Sequence, residues 1–213
     1  NIRMNNQPAG RIDDITSQVT LFGFQAGNNG AGFNNNAFGY RSLANNTADG
    51  NNAFGSLALE NNITGTANVA IGFGSLRAND DGGQNTAVGN GSLTSNVSGF
   101  DNVAVGFRSL DLNTSSGNTG IGSLALVNTV GQGNTGLGYN ALASNTIGTF
   151  NVGIGHGADV SAPGLSNAIA IGFNAVAGAS NTMVLGSGVN VGIGTSTPVS
   201  KLQVEDNATI GEN

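Results

Sequence analysis

The chain is 213 residues long, with 36 glycines, no cysteine, no tryptophan, 8% charged residues and a net charge of −6. Lack of cysteine rules out disulfides and thiolate metal sites, and no apolar run approaches the roughly 20 residues of a membrane-spanning helix. The six basic residues, Arg3, Arg11, Arg41, Arg77, Arg108 and Lys201, are too scattered to neutralise a run of phosphates, so neither nucleic-acid binding nor membrane insertion is expected. Hydrophobic residues still make up 38%, enough for a core. No signal peptide begins at Asn1, as expected of a mature form or a fragment of a soluble protein.

Residues 1–18, NIRMNNQPAGRIDDITSQ, hold Arg3, Arg11, Asp13 and Asp14 and read as a connector or docking segment. From residue 19 to 194 the chain repeats itself. A glycine that closes the motif N-x-A-x-G falls at positions 23, 39, 55, 72, 89, 106, 122, 138, 155 and 172, with a degraded copy at 186 and a shortened one at 194. The steps between the ten full copies are 16 or 17 residues. Such a period is the mark of a repeat architecture.

Read down the columns, the unit shows two faces. The residue before the marker glycine is always large and apolar, and two before it stands Ala or Gly, from Ala37 to Ala170. Four before it comes Asn, from Asn35 to Asn151. Large and small residues alternating with period two predict a β-strand with two unlike faces. The large column, Phe38, Phe54, Ile71, Val88, Val105, Ile121, Leu137, Ile154 and Ile171, is expected to form the structural core. The small column is expected to be a surface that neighbouring chains approach. Three residues past the marker stands Ser or Ala, then almost always Leu, as at Ser75–Leu76 and Ser109–Leu110, which predicts a second short strand. An Asn- and Gly-rich corner follows, where the one-residue wobble is absorbed. No 3.6-residue apolar stripe supports a helix. Strand, corner, strand, corner predicts an all-β fold, a parallel β-solenoid (β-roll) of 16–17-residue coils. So thin a core calls for oligomerisation, and an intertwined or side-by-side homotrimer is the expected form. Residues 195–213 carry Pro198, then alternate at Leu202 and Val204 and again at Ala208 and Ile210, and are expected to leave the roll as a neck or stalk strand.

No motif for chemistry stands out. His156, the single histidine, occupies a slot held elsewhere by Phe73, Phe107 or Tyr139, and reads as a solvent-facing or contact residue with no nucleophile to activate. Asp80, Asp81, Asp101, Asp111 and Asp159 read as solvated loop acids; a glycan-cleaving pair would need two carboxylates about 5–10 Å apart. The calcium motif G-G-x-G-x-D does not occur, and the Asn columns read as hydrogen-bonding ladders at the corners. The slot three before the marker mixes Thr, Asn and Val, too irregular for an ice-binding array. No catalytic residue, cofactor or metal ligand is assigned. The sequons at Asn62 and Asn113 follow from composition.

The unit N-x-A-I-G-x-x-[SA], as in Asn68-Val-Ala-Ile-Gly72 and Asn167-Ala-Ile-Ala-Ile-Gly172, resembles the head repeats of YadA-like trimeric autotransporter adhesins. That resemblance implies a left-handed parallel β-roll assembled as a trimer, although the family's unit is shorter and the extra residues here lie in the Asn-Gly loop. The tail NVGIGTSTPVSKLQV is similar to GIGT-x-x-P-x-x-KL-x-V segments that close repeat regions in phage tail-fibre-like and bacterial surface proteins, often just before a self-cleaving intramolecular chaperone. No chaperone sequence follows it, as expected of a matured fibre or a fragment.

The expected role is a non-enzymatic fibrous head or shaft, extracellular on a virion tail fibre or bacterial cell surface, whose repetition serves length and multivalent attachment. Its expected partners are further copies of itself, a host-surface glycan or protein, and fibre or baseplate proteins at the termini. Candidate contacts are Phe73, Arg77, Phe107, Arg108, Tyr139 and Asn140. A structural subunit of an extracellular filament and a polysaccharide-depolymerising spike are the alternatives.

Overall fold

The computed structural model describes residues 2–4, 7–12, 18–27 and 32–205. Two N-terminal strands, β1 (Ile2–Met4) and β2 (Gln7–Ile12), precede the repeats. One three-residue strand per coil follows: β3 (Thr20–Phe22), β4 (Asn36–Phe38), β5 (Asn52–Phe54), β6 (Val69–Ile71), β7 (Thr86–Val88), β8 (Val103–Val105), β9 (Thr119–Ile121), β10 (Thr135–Leu137) and β11 (Val152–Ile154). The last coils add β12 (Asp159–Val160), β13 (Ile169–Ile171), β14 (Val176–Ala177) and β15 (Met183–Leu185), and the chain continues with β16 (Val191–Ile193) and β17 (Leu202–Val204).

The strands from β3 to β11, then β13 and β15, pair parallel in one sheet, each with its equivalent one coil away. Register is exact to the residue: Ile71 lies beside Val88, and Val88 beside Val105. The fold is therefore a parallel β-solenoid. β2 pairs antiparallel with β3, so the segment expected to be a connector joins the solenoid sheet at its first edge; Asp13 and Asp14 lie outside the described residues. β16 and β17 form a separate two-stranded parallel sheet, and Ala208 and Ile210 lie outside the described residues.

The structure reverses the expected inside and outside. The small column is the interior: Ala37, Ala53, Ala70, Ala87, Ala104 and Ala170 are fully buried. The large column expected to be the core faces out, with Phe38, Phe54, Ile71, Val105, Ile121 and Leu137 each 36–44% exposed and Val88, Ile154 and Ile171 half-buried. Width decides it. A coil closed within 16–17 residues leaves room between its walls for one large side chain, and the leucine of the far wall takes it. Where that leucine approaches closest even Ala is replaced: a Cβ on Gly153 would lie 2.7 Å from Leu142 Cγ.

The leucine wall differs from expectation too. Leu43, Leu59, Leu76, Leu93, Leu110, Leu126 and Leu142 are fully buried, and each has φ of +50° to +53° in a turn, where a strand was expected. The left-handed conformation costs about 1–2 kcal/mol, and burying a leucine returns about 1.5–3 kcal/mol. The turns still stack, since Leu76 N–H donates to the Ser92 carbonyl at 3.0 Å and Leu93 N–H to Ser109 at 3.1 Å. Only where Asp159 and Val176 take the leucine's register does a short strand pair form, β12 with β14. The marker glycine bends the chain between the walls. Gly72 has φ of +133°, and a Cβ there would sit 2.5 Å from the Gly89 carbonyl oxygen. Only glycine fits both demands.

Two columns of asparagine complete the interior, and the ladder reading of them is correct. In the first, each amide oxygen accepts the backbone N–H of the Asn one coil on: Asn35 from Asn51 at 2.6 Å, Asn51 from Asn68 at 3.0 Å, and so to Asn134 from Asn151 at 2.9 Å. Each amide nitrogen donates to a corner carbonyl, as Asn85 does to Gly99 at 2.8 Å. The second column runs Asn46, Asn62, Asn79, Asn96 and Asn113, amide to amide, at 2.6–3.3 Å. Among the described residues no buried side-chain nitrogen or oxygen lacks a partner. The sequon asparagines Asn62 and Asn113 are fully buried in this ladder and closed to modification in the folded chain.

Replacing a ladder residue orphans a buried donor. Asn85→Ala leaves the Asn102 N–H without its 3.1 Å acceptor, which should lower stability by about 1–3 kcal/mol. Asn90→Ala, at an exposed position, should stay within about 0.5 kcal/mol. Chemical denaturation of the two variants checks the difference.

Candidate binding surface

Two exposed columns flank the bend at the marker glycine. The first is the outer sheet face with its large apolar column. Phe22, Phe38 and Phe54 open that column as a stack, centroids 6.1 and 4.8 Å apart, and β-branched and leucine side chains continue it. The second lies past the bend at the marker glycine. There the next residue is, coil by coil, Phe24, Tyr40, Ser56, Phe73, Asn90, Phe107, Ser123, Tyr139, His156 and Phe173.

Of the candidate contacts, Phe73, Phe107 and Tyr139 share this second column and are 49–55% exposed. Arg108 and Asn140 occupy the following position, where both take left-handed φ, +50° and +56°. Arg77 sits three positions further along its own coil. The structure therefore gathers all six onto one side, with the two arginines committed to partners. Arg77 Nε meets Glu60 Oε2 at 2.8 Å and Arg108 Nε meets Asp111 Oδ2 at 2.7 Å, each arginine side chain remaining about half exposed.

Glu60 escaped the sequence reading. It is nearly fully buried and holds a second arginine, Arg41, at 2.8 Å, so one carboxylate braces three successive coils. A signal existed: in the fifth position past the marker, Glu60 and Arg77 fall one above the other. Asp111 is also buried, against the expectation of a solvated loop acid, because Arg108 folds onto it. Asp159 lies in β12 and accepts from the Ser144 N–H at 3.1 Å, while Asp80, Asp81 and Asp101 are exposed as expected. His156 is exposed, as expected, and lies between the rings of Tyr139 and Phe173 at 5.0 and 5.5 Å. Among the described residues no three His, Cys, Asp or Glu side chains converge as a metal site, and no helix is long and apolar enough to cross a membrane.

Comparison of the chain with protein-family models, with curated proteins and with solved structures finds no match.

The Glu60 brace has a measurable share in stability. Glu60→Ala releases both arginines and leaves a void between coils, an expected loss of about 1–3 kcal/mol. Arg77→Ala removes a half-exposed partner and should cost under about 1 kcal/mol. Urea unfolding midpoints of the two variants separate the effects.

Proposed function

We propose that this chain is a non-enzymatic, homotrimeric fibrous module of a virion tail fibre or bacterial cell surface that displays attachment surface. The observation that carries the reading is the outer apolar column. Ten coils set a large side chain at the same place on the sheet, an unbroken line on the order of 45 Å long at the strand spacing of a sheet. Apolar strips of this extent mark sites of association. Further copies of the same chain fit the strip best, because a straight column meets its own equivalent along its whole length when chains run parallel. The Phe-rich first coils and the Ile- and Val-rich later ones then pack like against like, which fixes polarity and register. The resemblance to trimeric adhesin heads supports three as the copy number. Non-enzymatic display accords with a side built of aromatic, small and salt-bridged residues.

The absence of cysteine makes the test clean. Light scattering should give three times the 21.1 kDa chain mass. Ile71→Cys and Val105→Cys should each form cross-links between equivalent residues of different copies, whereas Val97→Cys, on another side of the coil, should not. A monomer, or equal cross-linking at position 97, contradicts the reading. Unlimited growth into fibres would favour the filament subunit, and release of reducing sugar from polysaccharide would favour the depolymerising spike.

A further inference from the structure

The column past the marker glycine has a second period that the repeat itself does not require. From the second coil to the eighth, aromatic and small polar residues alternate strictly: Tyr40, Phe73, Phe107 and Tyr139 on even coils, Ser56, Asn90 and Ser123 on odd ones. Phe173 continues the series on the tenth coil, while Phe24 on the first coil and His156 on the ninth place rings on odd coils at the two ends of the column. The five aromatic side chains of the even coils are 48–66% exposed. Even coils also tend to follow the ring with a polar side chain, Arg41, Arg108, Asn140 and Asn174, whereas odd coils place Leu57, Gly91, Leu124 or Gly157 there. A fold that needed only a filler at this corner would show no such two-coil rhythm.

We propose that this column is a binding ladder for an extended, neutral β-1,4-linked polysaccharide, a ligand class that rests on the attachment reading above and narrows it. Two coils span about 9.6 Å, close to the length of one disaccharide in an extended β-1,4-linked chain. In such a chain successive sugars are turned over, so every second ring presents the same face. That face is rich in C–H groups and packs on the electron-rich face of an aromatic ring. The Ser and Asn steps leave room for the sugar in between and offer it hydrogen bonds. Charge points to a neutral ligand. All three basic residues of the described repeats, Arg41, Arg77 and Arg108, lie on this side, but Glu60 and Asp111 neutralise two of them. The guanidinium groups are thus held in place as donors to hydroxyls without a field that would draw a polyanion to a chain of net charge −6. The ladder is rigid, so little ordering opposes binding, and weak contacts add along its length. Lying beyond the bend, it stays open when the outer apolar columns of several copies meet.

The test is retention of the purified protein on microcrystalline cellulose and on chitin, with starch and β-1,3-glucan as controls for linkage. Retention on cellulose, chitin or both, and on neither control, is expected. The triple variant Phe73→Ala, Phe107→Ala, Tyr139→Ala should lose about tenfold or more in affinity. A double variant, Phe73→Asn with Asn90→Phe, keeps the composition and breaks the spacing, and should lose binding as well. No retention on either β-1,4 glycan, equal retention on starch, or unchanged binding by the spacing variant overturns the proposal. So does a fall in oligomer mass of the triple variant, which would make the column a contact between copies. Light scattering on the same samples separates the two readings. A trimer that binds no glycan sinks the ladder alone, and a monomer that binds sinks the assembly alone.

Discussion

Each coil of this solenoid is tied to the next by an asparagine that has no access to water. Its oxygen takes a backbone N–H and its amide group donates to a corner carbonyl of the following coil, as Asn85 does with Asn102 and Gly99, while its own backbone N–H donates to the asparagine of the preceding coil, Asn68. Buried polar groups are tolerable only when they are satisfied, and here satisfaction requires the same residue at the same height in the neighbouring coil. The ladder therefore dictates register. A slip of one residue would orphan donors and acceptors through the whole stack, at positions closed to solvent. The 16–17-residue period in the sequence is the trace of that requirement.

The remaining interior follows from how little space the ladder leaves. With asparagines at two corners, the walls come close enough that alanine must face leucine. The leucines accept an unfavourable φ to reach inward, since the alternative is a hollow coil. What does not fit inside is displaced outside. Phenylalanine, isoleucine and leucine line up on the outer sheet face because the strand alternates and its inner positions are taken. An apolar exterior is thus a consequence of a narrow interior.

How much of this was legible in the sequence depended on the kind of information each column carried. The period, the strand at N-x-A-x-G, the stacking of Ile71 on Val88 on Val105 and the role of the Asn columns were readable, because each is a statement about equivalence between repeats. Which face of the strand was inside was not, since alternation of large with small is the same pattern viewed from either side. The rule that large apolar residues go inside misplaced the column from Phe38 to Ile171, because it takes no account of the diameter of a closed coil. The turn at Leu76 and its equivalents was hidden too, as leucine rarely adopts positive φ. On the candidate surface, Phe73, Phe107 and Tyr139 were found as variable outward positions. Glu60 was overlooked because it is a single carboxylate in an Asn-rich stretch, and its meaning lies in the coils on either side, where Arg41 and Arg77 stand.

The account depends most directly on the asparagine side chains being locked inside the stack. Hydrogen exchange of side-chain amides, followed by NMR, measures this without altering the chain. The Nδ2 protons of Asn68, Asn85, Asn102 and Asn134 should exchange as slowly as the backbone amides of the sheet, while those of Asn90 should be lost at once. Exchange of all of these at the same fast rate would mean that the ladder does not exist in solution, and that something else holds the coils in step.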